Sequence, residues 1–320
     1  MMIGQLEVKL SDLLRFCEQH QYAFSLSKSL RSNNVANKKS IITGIEPILS
    51  STTTDLTFCR FQNEAADDWI TASGAGFVIV STGYFESPKL KKSTTYIFAE
   101  HPRLALLHFI GAFWRPVDTE WVSQTVPIHP SAKIGKNVRI GMFCVIGPGV
   151  EIGDDSVIGN NTTIENAKIG KRCHIGNNVA IGGEGFGFED EEEKVLKFPH
   201  LGGVILGEDV RVGSCSCIDR ASLGNTIIDD SVKIDNLVHI AHNVTIGRAA
   251  KVVAMTIVGG STKIGENAWI APGASLRDWI NIGDNALVGL GAVVTKDVDA
   301  NEAVVGNPAK NIRKTMKRYR

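Results

Sequence analysis

Along the second half of the chain, aliphatic residues recur every six positions. Ile134, Ile140, Ile146, Ile152, Ile158 and Ile164 share one frame, which slips by one residue and resumes at Ile169, Ile175 and Ile181. A second run holds from Ile228 through Ile234, Ile240, Ile246, Val252, Val258, Ile264, Ile270, Leu276, Ile282 and Val288 to Val294. A period of six is neither the 3.6 of a helix nor the 2 of a plain strand. It predicts a chain that turns a corner after every short strand, with the aliphatic residue pointing inward. The next position is usually Gly, Ala or Asp, as at Gly135, Gly141, Gly259 and Ala241. The pattern puts these small residues near the corners, where positive φ is often needed. The pairs Asn160-Asn161 and Asn177-Asn178 suit such corners too. Three sixes close one triangular coil, so the frame predicts about nine stacked coils and a prism on the order of 45 Å long.

The first 115 residues follow no such frame. Asp12 to Gln21 reads as a short helix with Ser11 as its N-cap, and His101 to Trp114 as a helix with apolar Leu104, Leu107, Phe109, Ile110 and Phe113. Thr57 to Cys59 and Gly76 to Ser81 read as buried strands. The expectation is a mainly β protein: a small N-terminal α+β domain (1–115), a linker (116–127), a parallel β-helix (128–309) and a basic tail (310–320). Two breaks interrupt the repeat. One, Gly183 to Gly203, opens with Gly-Glu-Gly-Phe-Gly-Phe and continues into an acidic run. Inserted solenoid loops often carry binding residues, so Phe186 is a candidate substrate contact. The other, Ala221 to Thr226, adds four residues to a coil.

Composition narrows the class. The 34 basic residues balance the 34 acidic ones, which gives no reason to expect nucleic acid or a membrane surface as the main partner. There is no CxxC pair among the six cysteines, no signal-peptide pattern and no stretch of 18 apolar residues. These features fit a reduced, cytoplasmic protein without a membrane span.

The chemistry concentrates in Asp235-Asn236-Leu237-Val238-His239-Ile240-Ala241-His242-Asn243. With Ile240 inward, His242 falls at a corner, facing the groove where a neighbouring prism would pack. His239 falls on the outer surface of the preceding side. A corner imidazole suits a general base at neutral pH, Asp235 is a candidate to hold its tautomer, and glycine corners such as Gly259-Gly260 let a ligand approach backbone N–H groups. His239 and His242 lie on different sides of the coil and His174 is several coils away, so no metal site is expected.

These residues resemble a known family, the UDP-3-O-(3-hydroxyacyl)glucosamine N-acyltransferases of lipid A synthesis (LpxD). The matching stretches are Gly183 to Phe188, Ile218-Asp219-Arg220, Ile234-Asp235-Asn236 and Ala241-His242-Asn243-Val244, with Leu56-Thr57-Phe58, His101 to Ala105 and Ile128 to Ala132 in the first half. The resemblance implies a left-handed β-helix, a homotrimer with sites between subunits, His242 as catalytic base with Asp235, and an N-terminal domain that helps to bind uridine through Phe58. Asn236, His239 and Asn243, in the same stretch, are further candidate substrate contacts. The ending, Gly291 to Val298 and then Val305-Gly306-Asn307-Pro308-Ala309, is similar instead to CoA-dependent sugar acetyltransferases, which makes Gly260, Gly291, Asn307 and Pro308 candidate contacts of the donor. Two positions depart from the pattern: Glu64 stands where a second uracil-bracketing tyrosine is expected, and Arg277-Asp278-Trp279 where a second histidine is. The expected reaction is acyl transfer from acyl-CoA or an acyl carrier protein thioester to the amine of a nucleotide-linked amino sugar. A non-catalytic β-helix trimer and an O-acetyltransferase are the alternatives.

Overall fold

The computed structural model describes residues 4–26, 41–116, 127–191 and 193–312. The linker expected at 116–127 and the tail at 310–320 fall largely outside them. The chain divides into two compact units, Met1–Thr119 and Glu120–Arg320.

In the second unit each hexapeptide supplies one two- to five-residue strand, and the strands stack into three parallel sheets of a mainly β solenoid. One sheet carries Ile146, Ile164, Ile181, Ile218, Ile240, Val258, Leu276 and Val294. A second runs from Ile134 to Ile282, and a third from Ile140 to Val304. We call these the first, second and third faces. Corresponding aliphatics pair in register from coil to coil, as Ile218 with Ile240 and Ile240 with Val258. Their side chains form one continuous buried column. Each fully buried aliphatic contributes about 1.5–3 kcal/mol, which offsets the ordering of a coil that cannot stand alone. At the far end Lys310–Asn311 turns back and pairs antiparallel with Val304–Val305.

The corners differ from the expectation. The positive-φ residue is the third after the inward aliphatic, as at Asn137, Asn161, Asn178 and Asn243. Bulky Phe143, Leu237, Met255 and Trp279 take that conformation as well. The glycine directly after the aliphatic has another reason. A Cβ at Gly141 would lie 2.7 Å from the Asn160 backbone nitrogen, and one at Gly213 2.4 Å from the Asp235 carbonyl carbon. Close stacking of coils, not dihedral freedom, selects small residues there. A ladder of corner side chains ties the coils: Asp154, Asn160, Asp230 and Asn236 each accept a backbone N–H from the preceding coil at 2.7–2.9 Å.

The first unit is a five-stranded mixed sheet, ordered 23–25, 95–99, 77–81, 55–59, 44–45. Helices α1 (Leu10–Gln19) and α3 (Pro102–Phe113) cover one face through Leu13, Phe16, Ala105 and Phe109; α2 (Glu64–Ala72) covers the other through Ala66 and Ile70. α1 starts earlier than its sequence pattern predicts. Leu10 is buried, which draws the first turn back, and the expected cap Ser11 sits inside the helix; Lys9 occupies the N-cap without a side-chain bond. α2 carries only two buried apolar positions and left no clear period in the sequence. Its N-cap Asn63 accepts from Ala66 N–H at 2.9 Å, so Glu64 stands in its first turn. The expected strands at 57–59 and 76–81 form as Asp55–Cys59 and Phe77–Ser81.

Candidate active site

The site lies on the solenoid edge between the first and second faces. Both repeat breaks fall at this edge, in successive coils, and His242 sits there in the coil after them. The first break is an arm built on the two-stranded hairpin Phe188–Glu191 with Lys194–Lys197. The two breaks are joined by backbone bonds from Leu201 N–H to the Ser222 carbonyl at 2.9 Å and from Gly202 N–H to the Ala221 carbonyl at 3.0 Å.

His242 is half-buried, and its neighbours fix its ring. Asn243 Oδ1 lies 3.1 Å from His242 Nδ1 and accepts Ser222 N–H at 3.0 Å. The Asn243 amide group donates to the Leu223 carbonyl at 2.9 Å. These partners set which end of the amide is oxygen, so the neutral His242 ring carries its proton on Nδ1 and leaves Nε2 free to accept one. Below the ring lies Gly260, where a Cβ would stand 2.8 Å from His242 Cε1 and 2.9 Å from Nε2. Gly185, at the root of the arm, closes another side: a Cβ there would be 3.0 Å from His242 Cδ2. Side chains at either position would push the imidazole away.

The carboxylate near this ring is Asp219. Its pKa is raised by burial, while His239, His242 and His200 pull it back down. Its Oδ2 lies 3.7 Å from His239 Nε2. Arg220 pairs with Glu184 at 2.7 Å, and Lys197 pairs with the same carboxylate, pinning the arm to the coil. A second imidazole, His200, packs edge-on to His242 with ring centroids 5.3 Å apart.

The expected site residues divide accordingly. His242, Asn243, Gly260 and, at its margin, His239 share this edge. Asp235 does not: it is exposed at the corner between the third and first faces, and its Oδ1 accepts its own Asn236 N–H at 2.8 Å. It therefore does not reach His242 within this protomer, where the ring instead meets Asn243 and has Asp219 as a nearby carboxylate. Asn236 spends its side-chain oxygen on Ser214 N–H at 2.7 Å, a bond that holds coils together. Gly291 takes φ +63° at the same corner as Asp235, further along. Asn307 and Pro308 are exposed in the turn after Ala303–Val305. Phe186 stands 83% exposed on the arm, its ring 4.9 Å from that of Phe188. Phe58 is half-buried in the first unit against the core under α1 and α3. The repeat pattern by itself gives Asp219 and His200 no role. The available signal was that both repeat breaks follow a first-face aliphatic, Ile181 and Ile218, and so must meet at one edge. Among the described residues no group of three or more His, Cys, Asp or Glu side chains is arranged to hold a metal.

Residues 131–166 and 261–296 match the bacterial transferase hexapeptide family of six repeats. The UDP-3-O-acylglucosamine N-acyltransferase of Anaeromyxobacter dehalogenans is 31% identical over 248 residues, 69% of this chain and 68% of that protein. The chain belongs to the UDP-3-O-acylglucosamine N-acyltransferase family. Another member, from Caulobacter sp. (strain K31), is 40% identical over 157 residues, 49% of this chain and 46% of its own. The chain thus spans about half the length of the first such relatives it matches. Among solved structures, the UDP-N-acetylglucosamine acyltransferase of Francisella novicida aligns with a TM-score of 0.54 at 26% identity, over 59% of this chain and 68% of that one. LpxA from Acinetobacter baumannii, at TM-score 0.55 and 22% identity over 62% and 79% of the two chains, shares the β-helix fold. For this family member, the edge around His242 is the candidate active site.

Proposed function

We propose that the protein is an N-acyltransferase that moves an acyl group from a thioester, acyl-CoA or acyl carrier protein, to the amine of a nucleotide-linked amino sugar. The observation that carries the reading is the fixed tautomer of His242, whose Nε2 keeps its lone pair at a solenoid edge. As the amine attacks the thioester carbonyl, Nε2 accepts the amine proton and the C–N bond forms. Collapse of the tetrahedral intermediate breaks the C–S bond, and the proton on Nε2 passes to the departing thiolate. Asp219 offsets the transient imidazolium.

Membership of the family supports a UDP-linked glucosamine as the acceptor class. The half-buried edge becomes a cleft if a second copy packs against it, so the active form is proposed to be a homotrimer. Phe186 on the arm and His239 beside Asp219 are proposed to line the acceptor side. Gly291, Asn307 and Pro308, on later coils, are proposed contacts of the donor. Phe58 and the first unit are proposed to serve the nucleotide. No helix among the described residues is long and apolar enough to cross a membrane.

The test is mass spectrometry of products from a panel of UDP-linked amino sugars, each offered with short acyl-CoA and acyl carrier protein donors. A product heavier by one acyl group and stable to mild base, as an amide is, supports the reading. Transfer only to sugars lacking a free amine overturns it.

A further inference from the structure

We propose that His200 is a positioning residue that clamps the His242 imidazole against Gly260, so that Nε2 faces the acceptor. The proposal rests on the reading of His242 as the base.

His200 is 2% exposed, and neither ring nitrogen has a hydrogen-bond partner among the described residues. The Phe198 backbone lies close, but outside hydrogen-bonding geometry. Burying an imidazole with both nitrogens unpaired is unfavourable, and an apolar side chain of similar size would fill the space at lower cost. Such a residue marks a place where packing serves something besides stability. What the ring touches is specific. It meets His242 edge-on, at 70° between ring planes. A Cβ at Gly185 would fall 3.1 Å from His200 Nε2 and 3.0 Å from His242 Cδ2, and one at Gly187 would fall 2.9 Å from His200 Cε1. The arm thus uses glycine where it crosses the two rings. With Gly260 on one side and His200 on another, His242 has little room to turn about its side-chain bonds.

The charges around His200 come from Asp219 and Arg220 on one coil and His242 on the next. His239 faces Asp219 from the outer surface, and Glu184 neutralises Arg220. Burial comes first and the neighbouring His242 second in lowering the proton affinity of His200. Both causes disfavour a proton on the buried ring. His200 therefore acts through the orientation of His242 and does not compete as a base.

The experiment compares His200→Leu, His200→Gln and His242→Ala with the full-length protein, by steady-state kinetics and by NMR of isotope-labelled histidine. The expected results are a kcat at least about tenfold lower in His200→Leu with the acceptor KM within about twofold, and partial recovery in His200→Gln, as for loss of orientation without loss of binding. In the parent protein the His200 resonance should keep its neutral form to lower pH than an exposed imidazole does, because burial lowers its proton affinity. In His200→Leu the His242 resonance should broaden or split as its ring gains freedom. An unchanged kcat with an unchanged His242 resonance in His200→Leu overturns the proposal, as does a His200 that titrates like an exposed imidazole. If His200→Leu does not fold, a His200→Gln variant matching the parent in both readouts overturns it instead. Turnover persisting in His242→Ala defeats the parent reading alone, because the NMR comparison still judges the clamp.

Discussion

At the scale of single residues, the site depends on an amide that chooses a tautomer. Asn243 Oδ1 takes Nδ1–H of His242 only because Ser222 and Leu223 hold the amide in one orientation. Asn243→Ala is expected to lower kcat about 10²-fold by letting the wrong tautomer form. It should also destabilise the fold by about 1–3 kcal/mol, because Ser222 N–H and the Leu223 carbonyl lose a partner; chemical denaturation checks the second effect. Gly260→Ala should separate function from stability in the opposite sense. Its Cβ would displace the imidazole, so turnover falls steeply while the aliphatic column beside it is untouched. Asp219 gives a pH signature. Burial raises its pKa above the ordinary 3.8, so its charged form is disfavoured in the folded state. The parent protein should therefore match Asp219→Asn in stability below the ordinary carboxylate range and fall behind it as pH rises through the raised pKa. Melting curves of both proteins across that range check the sign; equal curves throughout contradict it.

At the scale of elements, legibility follows spacing. The coils were readable because each inward aliphatic is forced by the same packing, so Ile240, Ile246 and Val252 repeat one instruction. Ile246 is fully buried, and Ile246→Ala is expected to cost about 2–5 kcal/mol, measurable by denaturant unfolding. What did not repeat was harder to read. α2 buries only Ala66 and Ile70, too few to stand out as a period, and its start is set by the Asn63 cap. The corners are half legible: small residues do follow each inward aliphatic, but not because they need positive φ. They yield to the backbone of the next coil, while positive φ falls two residues later on side chains as large as Trp279. His200 and Asp219 join His242 from 42 and 23 residues away because two insertions bulge at one edge. Residue spacing alone carries no distance of that kind, which is why Asp235, nearer in sequence, lies at a different corner from His242 while Asp219 shares its edge.

At the scale of the whole molecule, the register of the stacked coils sets residues at successive heights along one edge: arm, Asp219, His242, Gly260 and then Asp278. Leu237, Met255 and Ile257 remain exposed along the first face and the corner that leads into it, which suits the proposed packing of copies side by side. The central claim is that one imidazole at this edge performs the proton transfer of acylation. Its most direct test is the rate of amide product formation by His242→Ala beside the parent protein, measured by mass spectrometry with both proteins shown by light scattering to share one oligomeric state. The expected result is an intact assembly whose turnover falls by about 10²–10⁴-fold. An intact assembly that still acylates the amine at near the parent rate contradicts it.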